Sequence, residues 1–443
     1  AASITSAATF IINPGFVAVY GWSAFVAMSV VLPLGLFISL IILSKSFRKY
    51  GTSVKALTIA QWIGNRYNSR SFTYMMAVVS LLLITFIVLI CVGLTIVIAS
   101  ALQVGELPVL IVLVVFVFGY TMFGGANSMV YTNTIQAVLM AIVAIILLTS
   151  GLENFTDGIE GFWSKLDGID PLLTQTFNPK SPLFRDWFEV IFCNFVVGIA
   201  IVCQPHIITK SLMLKSEQDI NRYLFIAIAV EILFFAVLFV GFYARLQFPD
   251  LMVDQKAMKL DGILSTYVVK NFSIGVGILV VLGLISAGLS TLEGIIQSLS
   301  TTISNDIIAP MLRWNPGDKS VAITNKIVIV ILGVISIAFS YQQLLYPNLS
   351  VGIIAQNGVY AYFSAAFVPV LFGVFLKEPS KNAAFSAAIV SIIVHFSVYY
   401  GGLTSYTSGD VRNPAVAAAI AIIAALITGL AFQFSFKQTK TSL

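Results

Sequence analysis

Apolar runs of bilayer length recur along the whole chain, separated by short polar clusters. A helix needs about 20 such residues to cross a membrane. About twelve spans can be read this way: Ala1–Tyr20, Trp22–Leu43, Phe72–Leu102, Pro108–Met122, Met129–Ser150, Trp187–Ile208, Tyr223–Leu246, Ile274–Ile308, Val321–Leu344, Val351–Phe375, Ala383–Tyr400 and Pro414–Phe434. The fourth is short, but Pro108 opens it and Gly124-Gly125 closes it. Val54–Tyr67 is amphipathic and too polar to span, which predicts an interfacial helix. The long stretches near 151–186 and 247–273 carry amphipathic pieces and predict short helices over one mouth of the bundle.

Two spans interrupt their own apolar pattern. Asn13-Pro14-Gly15 breaks the first, where Pro14 frees the carbonyl of Phe10. The sixth carries Gly198 and then Gln204-Pro205-His206 near its end. A simple kink is the other reading of each proline. Spans one to five and six to ten run in opposite orientation because five is odd. That is the arithmetic of an inverted-topology repeat, whose sites lie at the midplane on broken helices. The expected division is a first five-helix repeat over 1–151, an inverted second repeat over 187–376, and two additional C-terminal helices over 377–443.

Composition confirms the class. The chain of 443 residues is 58% hydrophobic and 10% charged, against about 25% charged in soluble proteins. It is an all-α polytopic membrane protein in contact with the lipid bilayer. The net charge of +5 comes from loops between spans, so it is no nucleic-acid signal. Cys91, Cys193 and Cys203 lie in apolar runs, with no disulfide framework and no metal-ligand spacing. Lys and Arg concentrate in alternate loops, including Lys45, Arg48, Arg66, Lys210, Arg222, Arg313, Lys377 and Lys437, while Glu153, Asp157, Asp170, Asp250 and Asp261 mark the others. The positive-inside rule makes the first set, and the C-terminus, cytoplasmic. A multi-pass protein of the plasma membrane, the inner membrane of a bacterium, is expected. Ala1 has no charged flank before it and no signal-peptide n-region, so further residues are expected upstream.

The eighth run carries the candidate chemistry. Ile285–Ile308 reads ISAGLSTLEGIIQSLSTTISNDII, with more hydroxyls than a lipid-facing span needs. Ala287, Ser290 and Thr291 stand at i, i+3 and i+4 and share one helix face. Two hydroxyls and a carbonyl make a hard oxygen site of the sort an alkali cation prefers. Hydroxyls that bond back to their own helix, or join neighbouring helices, are the plainer reading. The ionisable residues within spans are Glu189, Glu231, Glu293, His206 and His395, and such residues are functional candidates by default. Glu293 lies about 200° around the helix from Thr291, so it is expected to pair with a neighbour rather than face the ion. Glu189 and Glu231 sit near membrane ends. His206 gates or caps, and His395 has no visible partner.

The pieces SAATFIINPG (6–15), YTMFGGANSMVYTNTIQAV (120–138), ITKSLMLKSEQD (208–219) and AGLSTLEGIIQSLSTTISND (287–306) resemble the sodium:solute symporter family along nearly the whole chain. That resemblance implies a LeuT-type 5+5 inverted repeat preceded by an added N-terminal helix, here missing upstream. It also implies a Na⁺ site shared by the carbonyls of Ala2 and Thr5 on the first helix, the Ala287 carbonyl, and the Ser290 and Thr291 hydroxyls. The solute is then expected among Thr9, Phe10, Thr85, Phe86, Asn194, Gly198, Ile201, Gln356, Asn357 and Tyr360. Many relatives have an aspartate in the helix-five motif where this chain has Asn133. A neutral amide supplies no charge to a second cation, so one Na⁺ per cycle is expected. Ala200 and Ile201 stand where sugar carriers of the family have an aromatic pair, which favours a small carboxylate or zwitterion over a sugar.

The expected function is Na⁺-coupled symport of a small organic solute by alternating access. A proton-coupled carrier or exchanger on the same fold is the alternative, with Glu293 as its carboxylate. A channel would show a repeated pore motif and a sensor an appended soluble domain. No catalytic constellation marks an enzyme, and no obligatory protein partner is evident.

Overall fold

The computed structural model describes residues 8–51, 56–123, 126–208, 217–253, 255–313, 319–347 and 349–441. Ten of its helices are long and apolar enough to cross a membrane, and two shorter apolar helices, Ala8–Tyr20 and Phe188–Ile201, complete the twelve-member order read from the sequence. The longer ones are Trp22–Leu43, Arg70–Leu102, Glu106–Phe123, Tyr131–Phe155, Gln218–Gln247, Ile274–Met311, Lys319–Leu345, Val351–Phe375, Lys381–Gly401 and Pro414–Ser435. The two short members are the first and the sixth, the spans whose apolar pattern is interrupted.

The physical cause of the first irregularity is Pro14. The α-helix proper begins at Asn13 with the proline in its first turn, and Ala8–Ile12 before it is wound as a π-helix. A proline cannot donate to the carbonyl one turn back, and a wider turn absorbs the mismatch. The irregularity therefore precedes Pro14 rather than following it. The sixth span also starts as a π-helix, Phe188–Cys193, and ends its regular α-helix at Ile201, one turn before Pro205. The first span closes at Gly21, whose φ of +69° suits glycine. A Cβ there would lie 2.3 Å from the Leu173 carbonyl oxygen, so the turn also serves as a seat for the Pro171–Leu173 segment.

The tenth span lies at the centre of the bundle, with 89% of its apolar window buried against 28% for the fifth. It has no polar stripe, as a helix enclosed on all sides requires. It packs on the third, eleventh and twelfth spans and also touches the second and sixth.

The loops sort onto two faces. On the face that gathers Lys and Arg, the predicted interfacial helix forms over Ile59–Arg66, with Thr58 as its N-cap accepting from the Gln61 amide. It links two spans. Thr58 Oγ1 and Gln61 Nε2 donate to the two oxygens of Asp306 at the end of the eighth span, each at 2.5 Å. Arg66 donates to the Gly373 and Leu376 carbonyls at 2.7 and 2.8 Å, and the Tyr67 hydroxyl donates to the Pro369 carbonyl at 2.8 Å. These bonds satisfy the end of the tenth span, where the last carbonyls lack helical donors.

The acid-rich face carries the expected short helices, Gly158–Ile169 and Ile263–Asn271, and a two-stranded ribbon, Met252–Val253 with Lys256–Ala257, that the apolar pattern did not predict. Phe162 anchors the first of these helices, stacked on Phe155 at 4.3 Å and fully buried. Asp261 fastens the second loop to the tenth span, accepting from Ser350 Oγ at 2.5 Å and from the Val351 amide at 2.9 Å. Burial pushes the Asp261 carboxyl above its ordinary value, although these two hydrogen bonds and the nearby Lys259 charge pull the other way. A carboxyl raised in the folded state contributes stability that is present below its unfolded value, near 4, and is lost as pH rises through the folded value. The difference in thermal midpoint between the native protein and Asp261→Asn is therefore expected to move in favour of the native protein as pH is lowered from 7 towards 4. A pH series of unfolding midpoints for both proteins checks this, and a difference that grows towards pH 7 contradicts it.

Candidate functional site

The eighth span brings three oxygens together. Ala287, Ser290 and Thr291 are all fully buried. Ser290 Oγ donates to the Ala287 carbonyl at 3.1 Å and Thr291 Oγ1 donates to the same carbonyl at 3.3 Å. Spacing predicted the shared face, and the two bonds are the back-bonding to the same helix that is the plainer reading of such hydroxyls. A hydroxyl oxygen that donates can also accept or ligate, and none of the three oxygens is charged. The face looks inward, and its helix touches the π-helical turn Ala8–Ile12 of the first span as well as the third and fifth spans. Ala2 and Thr5, expected to complete the set, lie outside the described residues. Among the described residues no group of three or more His, Cys, Asp or Glu side chains gathers for a metal. Neutral hydroxyl and carbonyl oxygens suit a monovalent ion, whereas divalent sites draw on carboxylates.

A central cavity with about 100 Å³ of open space lies between the first, second, third, sixth, seventh and tenth spans. Five of the expected solute residues line it: Thr9, Phe86, Ile201, Gln356 and Tyr360. The other five lie elsewhere. Phe10 is fully buried edge-to-face against Phe234, with ring centroids 5.2 Å apart. Thr85 donates to the Leu82 carbonyl at 2.8 Å and the Ala355 carbonyl at 3.3 Å, joining the third span to the tenth. Asn194 donates to the Glu189 carbonyl at 2.8 Å, at the junction where π-helix becomes α-helix. Gly198 is a crossing point, because a Cβ there would stand 2.2 Å from the Leu32 carbonyl oxygen and 3.2 Å from the Gly35 Cα. Small residues let two membrane helices touch backbone to backbone in this way. Asn357 shares its amide between Tyr400 and His395, so His395, without a partner in the sequence reading, bonds through Nε2 to Asn357 Oδ1 at 2.9 Å.

Two polar residues that the sequence reading passed over reach the cavity. Asn13 and Gln204 each precede a proline, one at each helix break, and both line it. Gln204 is 5% exposed and its Oε1 is buried with no hydrogen-bond donor among the described residues. A buried amide oxygen without a donor is rare in folded proteins. The residue lines the cavity, and rotation of its amide about the last side-chain bond would offer a ligand either a donor or an acceptor. Met28, Leu32 and Leu36 of the second span and Phe235 of the seventh supply an apolar wall.

Glu293 does not join the Ser290–Thr291 face. It accepts from the Tyr120 hydroxyl of the fourth span, and Gln136 Nε2 of the fifth approaches to 3.5 Å. Glu189, at the start of the sixth span, is fully buried and paired with Arg185 at 3.1 Å and Asn413 at 2.9 Å. It ties the sixth span to the start of the twelfth.

Comparison with known proteins places the chain. The model of the sodium:solute symporter family matches residues 1–391. The sodium/pantothenate symporter of Escherichia coli K12 is 25% identical over 410 residues, covering 89% of this chain and 79% of the relative. The sodium/sialic acid symporter of Proteus mirabilis is 24% identical, covering 73% and 66%. Among solved structures, a Na⁺-coupled sialic acid symporter in a substrate-bound, outward-open state superposes with a TM-score of 0.74 at 20% identity, covering 97% of this chain and 86% of that one.

Proposed function

We propose, from the premise that this chain belongs to the sodium:solute symporter family, that the Ala287–Ser290–Thr291 face holds the coupling ion and the central cavity takes a small carboxylate or zwitterion. The protein is a multi-pass membrane transporter that couples Na⁺ to a small organic solute. The observation that carries the site assignment is the full burial of Ala287, Ser290 and Thr291 on one face of a helix in contact with the first span.

The mechanism follows from charge and position. Na⁺ neutralises no carboxylate in this set, so it is held by dipoles alone and released readily, as a cycle requires. The ion bridges the first and eighth spans. Its binding favours the arrangement in which those spans are close, and that differential is the coupling. The solute sits beside the same first span, where Thr9 and Asn13 meet Gln204, Gln356 and Tyr360. Asn13 and Gln204 sit where prolines remove helical donors. A carboxylate is met there by amide and hydroxyl groups, and an ammonium by the Gln204 oxygen. The stoichiometry is one Na⁺ per cycle, with Asn133 in the fifth span neutral. Spans one to five and six to ten form the two inverted halves, a division supported by the π-helical turns Ala8–Ile12 in the first span and Phe188–Cys193 in the sixth. The Lys- and Arg-rich face and the C-terminus are cytoplasmic, the membrane being the inner membrane of a bacterium.

A thermal-shift screen of the purified protein with and without Na⁺, against amino acids, short carboxylates, vitamins and sugars, tests the reading. For the transported solute, an acid or zwitterion, the midpoint is expected to rise more with Na⁺ present than without it. Stabilisation by a sugar alone overturns the solute assignment.

The proton-coupled alternative makes a separate demand on Glu293. Its contacts with Tyr120 and Gln136 place it in the packing of the fourth, fifth and eighth spans. Glu293→Gln is expected to keep Na⁺-dependent uptake within about threefold of the native rate, because an amide retains the hydrogen bonds at a cost of about 1 kcal/mol. Loss of uptake with normal membrane yield would instead make Glu293 part of the coupling.

A further inference from the structure

A second cavity, of about 550 Å³, lies against the tenth span beneath the loop that joins the eleventh and twelfth. Ile354, Asn357 and Gly358 face it, while Ala355, Gln356, Val359 and Tyr360 face the central cavity. At 100° per residue these sets point to opposite sides of the helix. The two cavities are therefore separate chambers divided by one helix. The volume falls within the usual range for small-molecule sites, roughly 300–1,000 Å³.

The wall combines an apolar surface with charges of both signs. The rings of Phe396 and Tyr400 stack with centroids 5.9 Å apart, and Tyr399 stands across Tyr400 at 5.0 Å and 86°. Asp410 and Arg412 line the same space. Among the described residues they make no ion pair with each other, the ion pairs there being Lys165–Asp157 and Arg185–Glu189. Arg412 Nη1 is held by the carbonyls of Tyr399 at 3.1 Å and Tyr400 at 2.9 Å, at the end of the eleventh span. This fixes the position of a cationic donor.

The rest of the wall is pre-oriented from behind. His395 is fully buried and bonds Asn357 Oδ1 at 2.9 Å, so the Asn357 amide nitrogen is turned towards Tyr400 and donates to its hydroxyl at 3.0 Å. A tyrosine oxygen that accepts in this way keeps its own O–H free to donate. Tyr400 and Arg412 therefore offer donors, Asp410 offers an acceptor, and the aromatic rings offer faces that attract cations and cover apolar groups.

We propose that this cavity is a second binding site, taking a small zwitterion with an apolar side group: its carboxylate on Arg412 and Tyr400, its ammonium on Asp410, its side group on Phe396 and Tyr399. The proposal stands apart from the Na⁺-coupled transport reading, because equilibrium binding here needs neither uptake nor a sodium gradient. Failure of one leaves the other in place.

The test uses three phenyl compounds that differ in charge: phenylalanine, phenethylamine, which lacks the carboxylate, and 3-phenylpropionate, which lacks the ammonium. Each is titrated into the purified full chain in lipid nanodiscs, and Tyr fluorescence or calorimetry reads binding. Phenylalanine is expected to bind at least about tenfold more tightly than either control, one charge contact being worth roughly 1.4 kcal/mol. Asp410→Asn is expected to cancel its advantage over 3-phenylpropionate, and Arg412→Gln its advantage over phenethylamine. Gln356→Ala alters the central cavity on the other side of the tenth span, so a loss of phenylalanine binding in this variant, with none in Asp410→Asn or Arg412→Gln, would place the probe in the central cavity. The proposal is overturned if phenylalanine does not saturate, if the three probes bind alike, if neither charge variant alters the order, or if Gln356→Ala abolishes binding while neither charge variant weakens it.

Discussion

Thr291→Ala is expected to raise the Na⁺ concentration that half-saturates uptake by about tenfold, the value of roughly 1.4 kcal/mol for one lost ligand. Thr291 is fully buried, and its hydroxyl donates within its own helix turn to the Ala287 carbonyl at 3.3 Å. Losing that bond costs about 1 kcal/mol of fold stability, too little to empty the membrane of protein. Alanine also lacks the threonine γ-methyl, and the space left adds a cost of about 1 kcal/mol. The ion is affected far more, because one of a small set of neutral oxygens disappears and no charge compensates. At saturating Na⁺ the maximal rate is expected to return to within about twofold, since the ion step alone is weakened. Uptake as a function of external Na⁺, normalised to membrane protein, separates these effects. Full uptake by this variant in sodium-free medium would remove the ion from the mechanism.

Gln204→Leu carries the second large effect, with an unusual pair of signs. Gln204 Oε1 is buried with no donor among the described residues, and Gln204 lines the central cavity. Leaving such an acceptor unpaired costs about 1–3 kcal/mol, and leucine of similar volume removes that cost. The unliganded protein is expected to unfold at the same temperature or a higher one. A solute that would donate to this oxygen then loses its partner, and its affinity is expected to fall by about tenfold or more at roughly 1.4 kcal/mol per decade. Stability and affinity thus move in opposite directions, whereas damage to packing lowers both. Thermal unfolding without solute, together with the solute concentration for half-maximal uptake, gives both readings. A lower unfolding temperature with unchanged affinity would assign Gln204 to the core.

What the sequence disclosed depended on whether the information was local. The Ala287–Ser290–Thr291 face is a property of one helix, and helical spacing brings its three oxygens together without any help from neighbours. The twelve apolar runs and the interfacial helix Ile59–Arg66 are local in the same sense. The prolines at 14 and 205 marked the two interrupted spans, although the wider turn lies before Pro14 and not after it. Contacts between spans were hidden. Gly198 and Asn194 face neighbouring backbone, and their roles depend on where the second span crosses and where the π-helical turn ends. His395 meets Asn357, 38 positions away, and no periodicity encodes that pairing. Asn13 and Gln204 carried a usable signal, since each is a polar residue placed immediately before a proline within an apolar run. A side chain at such a position is next to freed backbone groups, which is where a solute is recognised.

The position of the ion is tested most directly by equilibrium binding of ²²Na⁺ to the purified protein, without solute or gradient. The native chain is expected to bind saturably at one ion per molecule, and Ser290→Ala combined with Thr291→Ala to lose that binding while unfolding at a similar temperature. Undiminished binding by the folded double variant would place the ion elsewhere in the molecule.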